Sequence, residues 1–196
     1  MTRPEWRRHG IAGAARLGAL LCGLSYSLPA AADIIGGGLW QQAGQGRFVI
    51  LDPGAGFAVG ADTFDDDNLY AFPEVQGIAL GADLAVEIGT GPIPAGTPVD
   101  SHYVFFDSVD GHHFGFVQFD APILGVATSQ ASMAATDRFG HPDITYLSPS
   151  LRGLETGDEV WIDADDPTRL LVLWAGSSPG DYIRVFTLAS DAAPLM

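Results

Sequence analysis

An all-β fold, a single-domain β-sandwich of jelly-roll type with one short helix after its central strands, is what this sequence predicts. Three observations carry that prediction. Short runs rich in β-branched and aromatic residues recur along the chain. Gly, Pro or Asp fences nearly every run, which is the chemistry that sharp turns require. Only residues 129–137 read as a helix, with Ser129 placed to cap it and Ala131, Met133, Ala134 and Ala135 as good helix formers. Many short strands at regular spacing are the signature of a sandwich.

The elements follow in order. Ile34-Ile35 and Leu39-Trp40 flank three glycines, and with Arg47–Leu51 beyond Gly44-Gln45-Gly46 they predict an opening hairpin. Asp52-Pro53-Gly54 ends it, because Pro fixes φ and Gly permits the reversal. Phe57–Val59, Leu69–Phe72 and Val75–Leu80 read as short strands. In Leu84–Ile88 the residues Leu84, Val86 and Ile88 share one face, the alternation of a half-buried strand. The centre is the pair Ser101–Asp107 and Phe114–Asp120, joined by a segment containing Asp110-Gly111, which predicts a hairpin packed on both faces. Ile123–Thr128 precedes the helix, Phe139–Pro149 reads as a loop, and Glu159–Ile162, Leu170–Trp174 and Tyr182–Thr187 are the last strands.

Composition bounds the function. Arg3, Arg7, Arg8 and Arg16 lead into an apolar stretch from Leu17 to Leu24, and Ala30-Ala31-Ala32 supplies small residues for cleavage. That pattern predicts a signal peptide over residues 1–32 and a secreted domain over 33–196. The apolar stretch is shorter than the roughly 20 residues that span a bilayer, so no membrane anchor is expected in the mature chain. The formal net charge is −15; removing four of nine basic and one of 24 acidic residues leaves five against 23, a net of −18. There is no Lys. Such a surface repels nucleic acid and anionic membranes. The single Cys, Cys22, leaves with the signal peptide, so no disulfide is expected in an oxidising compartment.

Candidate sites are few. Asp62, Asp65, Asp66, Asp67 and Asn68 crowd hard oxygen ligands into one loop, and calcium is the cation such a loop would take. Their spacing departs from the EF-hand pattern, and a solvated acidic turn, natural in so acidic a protein, is the favoured alternative. Asp163–Pro167 reads as a plain turn. His112-His113 reads as a pair of polar turn residues at the tip of the hairpin, and on a strand the two would point to opposite sides. Ser101 and His102 would do the same, which keeps Ser101, His102 and Asp107 from forming a triad. Gly176-Ser177-Ser178-Pro179-Gly180 spells G-x-S-x-G, but a strand rather than a helix follows it. Arg152 and Arg184 are expected in exposed salt bridges to Glu155, Asp158 or Asp181. Trp161 alternates with Val160 and Ile162 and is the aromatic best placed to stack on a ligand, with Tyr103 as a second.

Gly96-Thr97-Pro98-Val99-Asp100-Ser101-His102-Tyr103-Val104-Phe105-Phe106-Asp107, Phe119-Asp120-Ala121-Pro122-Ile123-Leu124-Gly125-Val126, Leu151-Arg152-Gly153-Leu154-Glu155-Thr156-Gly157-Asp158 and Ser178-Pro179-Gly180-Asp181-Tyr182-Ile183-Arg184-Val185 form a recognisable word order over residues 70–187. It resembles a family of secreted bacterial proteins of unestablished function that often carry a PEP-CTERM sorting tag. The resemblance implies a secreted, β-rich domain and carries over no catalytic residues. The tag is absent from Ala193-Pro194-Leu195-Met196, which favours free release or periplasmic residence. The reading that results is a non-enzymatic envelope or extracellular-matrix protein binding polysaccharide or a cell-surface protein. The alternatives are a calcium- or metal-assisted extracellular hydrolase and a purely structural matrix protein.

Overall fold

The computed structural model describes residues 33–41, 45–60, 62–107, 110–177 and 180–189. The predicted signal peptide and the C-terminal residues 190–196 lie outside that set. The strands are β1 (Ile34–Gln41), β2 (Phe48–Ile50), β3 (Phe57–Val59), β4 (Leu69–Pro73), β5 (Ile78–Ala79), β6 (Ile88–Gly89), β7 (Pro98–Phe106), β8 (Asp110–Phe119), β9 (Ile123–Ala127), β10 (Ile144–Tyr146), β11 (Glu159–Ile162), β12 (Arg169–Ser177) and β13 (Asp181–Leu188). One α-helix, α1 (Gln130–Ala135), lies between β9 and β10. The chain is an all-β sandwich with a single short helix, as its pattern of strands and turns predicts.

Two large sheets build the sandwich, beside a two-stranded sheet of β3 and β10. One has four strands in the order β1-β8-β12-β11; the other has seven, ordered β2-β4-β7-β13-β9-β6 with β5 on β7. Residues Val117, Phe119, Leu170, Val172 and Trp174 of the smaller sheet pack against Ala71, Val104, Phe106, Val126, Ile183 and Val185 of the larger. A second core lies on the far side of the larger sheet, where Tyr70, Phe72, Tyr103, Phe105 and Phe186 meet Met133 of α1, Phe139 and Ile144. The larger sheet is therefore covered on both faces. Its two middle strands, β7 and β13, are buried at every residue except Pro98 and Leu188. Hiding apolar residues at both parities explains why these runs show no polar alternation.

Two predicted hairpins do not form. β7 pairs with β4 and β13, while β8 pairs with β1 and β12, so the two runs sit in different sheets. They stack face to face, with Val104 and Phe106 against Val117 and Phe119. A reversal with Gly serves a hairpin and a change of sheet equally well, and Gly111 at φ 108° is consistent with either. The opening hairpin fails likewise: β1 runs through its three glycines and joins the smaller sheet, while β2 lies parallel to β4 in the larger. Residues 139–149 hold a strand where a loop is expected, since β10 pairs in parallel with β3. The helix is as predicted, with Ser129 and Ser132 forming a reciprocal cap.

Candidate functional site

The outward face of the four-stranded sheet is where this fold leaves aromatic residues in contact with solvent. The register lays its outer residues in rows across the strands. One row is Gly38, Phe116, Leu171 and Trp161, and the next along is Phe114, Leu173 and Glu159. The opposite flank is Gly36, Gln118 and Arg169. Val160, Val172 and Val117, at the other parity, belong to the core. Strand spacing makes this face about 14 Å wide across its four strands.

Local chemistry sets each ring. Gly36 and Gly38 place no side chain on the outer face of β1, so the Phe116 ring lies against the backbone; a Cβ at Gly38 would stand 3.0 Å from Phe116 Cε1. The register of β1 on β8 slips between Leu39 and Gln41. An extra residue of this kind re-aims a side chain, and here it turns Trp40 over its neighbours. The Trp40 ring stacks on Phe116 at 4.9 Å with 25° between planes, and tilts against Phe114 at 4.8 Å. Phe114 in turn stacks with Trp161 at 6.1 Å and 21°. Trp40 is 54% exposed and Leu173 36%, while Phe114, Phe116, Leu171 and Trp161 are half-buried. Together these side chains form a partly exposed apolar patch of the kind that marks an interaction surface.

The flank of the patch is polar. The Arg169 guanidinium lies over the Phe116 ring at 5.6 Å and is held by Asp163 at 3.3 Å and Asp166 at 3.2 Å. Its Nε donates to Gln118 Oε1 at 3.0 Å, and Gln118 Nε2 donates to Thr168 Oγ1 at 2.6 Å. The loop 163–167 thus joins β11 and β12 as the predicted turn and also anchors Arg169 on this face. Hydrogen bonds from Thr168 hold the Asp166 carboxyl below its ordinary range.

The other sequence candidates fall elsewhere. Tyr103 is fully buried, stacked on Phe72 at 5.3 Å, so its ring offers no face to a ligand. In the acidic loop, Tyr70 and Asn68 both donate to Asp66, and the Asn68 side-chain oxygen accepts from the backbone of Arg47. Asp107 pins the same loop by accepting from the Phe64 backbone. Asp62 and Asp65 stand at positive φ, 57° and 46°. Among the described residues no three Asp, Glu, His or Cys side chains come together as a metal-binding group. His112 is exposed on β8, while His113 is buried with its ring 3.8 Å from Phe106, so the pair points to opposite faces.

Sequence reading missed a buried ionic cluster. Arg184 and Glu74 are both fully buried and paired bidentately, Nε to Oε2 at 2.6 Å and Nη2 to Oε1 at 2.9 Å. Ser101 and Tyr146 hydroxyls donate to the same carboxylate, each at 2.7 Å. Arg184 also donates to Thr136 Oγ1 at 2.8 Å. Arg152, buried too, pairs with Asp137 at 2.6 Å rather than with the exposed partners expected. Burial and the neighbouring Glu74 push the Tyr146 hydroxyl far above its ordinary value. Ser101 thus serves this ion pair, while His102 faces the other way and bonds Thr187 at 2.9 Å. Burial drives the His102 ring down to about 3, so it is neutral. With Glu74 taken by four donors, this cluster is suited to locking the sheet to its cover.

Comparison with models of protein families, with curated proteins and with solved structures found no match.

Proposed function

We propose that this protein is a secreted, non-catalytic sandwich of the cell envelope or extracellular matrix that binds polysaccharide across the outer face of its four-stranded sheet. The observation that carries this reading is the chain of four rings, Trp40, Phe116, Phe114 and Trp161, on the outer face of the four-stranded sheet. A pyranose ring presents C–H bonds on its faces and hydroxyls at its rim. Flat aromatic rings take the first, and side chains such as Gln118, Thr168 and Arg169 take the second. The predicted signal peptide, the acidic composition and the resemblance to secreted bacterial proteins of unestablished function support that role. A binding role also fits the separation of Ser101 and His102 onto opposite faces of β7, each committed to a structural bond.

The test is depletion of residues 33–196 from solution by a panel of insoluble polysaccharides, repeated with Trp40→Ala and Trp161→Ala. Each substitution is expected to weaken retention about tenfold, the usual cost of removing a central Trp from a contact. Retention of the double variant as strong as the parent would refute the site.

A further inference from the structure

Resting on that reading, we propose that the glycan this face takes is cationic: an equatorially linked, ribbon-like polymer of glucosamine with free, protonated amines. The face already holds one cation over one of its rings. Arg169 lies on Phe116 with Asp163 and Asp166 beside it, a positive group between a ring and carboxylates. The opposite end repeats the pairing of ring and carboxylate. Glu159 stands on the same face of β11 as Trp161 and opposite Leu173 of β12. It is exposed, and it makes no ion pair among the described residues.

Charge selects the ligand. Two carboxylates share the guanidinium at the Arg169 end, Glu159 makes no ion pair at the other, and exposed His112 lies beyond Phe114 on β8, so among the described residues carboxylates outnumber guanidinium groups on this face within a chain of net charge −15. An anionic polymer meets repulsion there. An ammonium group gains twice, from the indole face of Trp161 and from the Glu159 carboxylate. A ribbon-like chain suits a sheet face that Gly36 and Gly38 leave low along β1. A strongly coiled glycan would touch one ring at a time.

The experiment compares two soluble hexamers with the same linkage, one of glucosamine and one of glucose, in mildly acidic buffer by calorimetric titration of residues 33–196. The glucosamine hexamer is expected to bind about threefold to tenfold tighter at low salt. Glu159→Gln should erase most of that preference, and Trp161→Ala should weaken binding of both hexamers. Equal affinity for the two hexamers would overturn the proposal and leave the polysaccharide reading standing. A preference that survives Glu159→Gln intact would overturn it too, because the attraction would then belong to the protein's net charge. Failure of both hexamers and of every polysaccharide in the panel would bring down the broader reading.

Discussion

Replacing Glu74 with Ala breaks the buried ion pair with Arg184. The substitution removes four hydrogen bonds at once, two from Arg184 and one each from Ser101 and Tyr146. Arg184 stays fully buried, keeping Thr136 Oγ1 at 2.8 Å, Met133 O at 3.2 Å and a long contact to Asp137 at 3.6 Å. None of these replaces a bidentate carboxylate. Breaking a buried pair by removing one partner costs about 3–5 kcal/mol, because the remaining charge has lost both water and its counter-ion. At this chain length 1 kcal/mol moves the melting temperature by about 2–4 °C, so a fall of about 6–20 °C is expected. The assay is urea and thermal unfolding of residues 33–196 followed by circular dichroism. The double variant Glu74→Leu/Arg184→Met removes both charges and should lose less than Glu74→Ala alone. A single-variant cost below about 1 kcal/mol, or additive losses in the double, would show that the pair does not hold the cover to the sheet.

Further outcomes follow from other parts of the fold. Gly180 opens β13 at φ 91°, and a Cβ there would stand 2.7 Å from Phe106 O and 2.8 Å from Asp107 Oδ1. Gly180→Ala should therefore cost about 1–3 kcal/mol or more in urea unfolding. Asp181 is buried beside Asp158 and its carboxyl is pushed up to about 9. Folded Asp181 keeps a proton that the unfolded chain releases, so it takes stability away as pH rises from about 4 to its folded value. His102 acts oppositely, since the folded ring refuses the proton that the unfolded ring takes below about pH 6.5. Above about pH 6.5 only the Asp181 effect remains of these two, and Asp181→Asn should flatten the decline of melting temperature toward pH 9. Melts in calcium, magnesium and EDTA at matched ionic strength should coincide, because Asp66 and Asn68 already satisfy each other within the acidic loop. A rise in calcium alone would make that loop a cation site.

What could be read from the sequence was local. The alternation of Val160, Trp161 and Ile162 placed Trp161 outward, and the lack of alternation in residues 101–107 placed that strand between two packed layers. Pairing partners were not local. β7 and β13 meet through pairs such as Val104 with Ile183, and Arg184 finds Glu74 110 positions away, distances over which no turn or spacing rule reaches. Tyr103 was misplaced because its ring was offered to a ligand although the strand that carries it was itself expected to be packed on both faces; in the fold it is fully buried. Trp40 was illegible for a different reason. The slip between Leu39 and Gln41 breaks the two-residue period from which its direction would be inferred. Phe114 and Phe116 shared that fate, since assigning them to a hairpin with β7 implied burial where the structure shows a half-exposed face.

The outer sheet face as a glycan platform is tested most directly by the indole N–H signals of residues 33–196. In a ¹⁵N-correlated spectrum these come from Trp40, Trp161 and Trp174, of which Trp174 is fully buried in the inter-sheet core. On titration with a polysaccharide fragment that the depletion assay shows to bind, the Trp40 and Trp161 signals should move together and saturate at one affinity, with Trp174 unmoved. Binding that leaves Trp40 and Trp161 where they were would place the glycan elsewhere on the molecule and contradict the account.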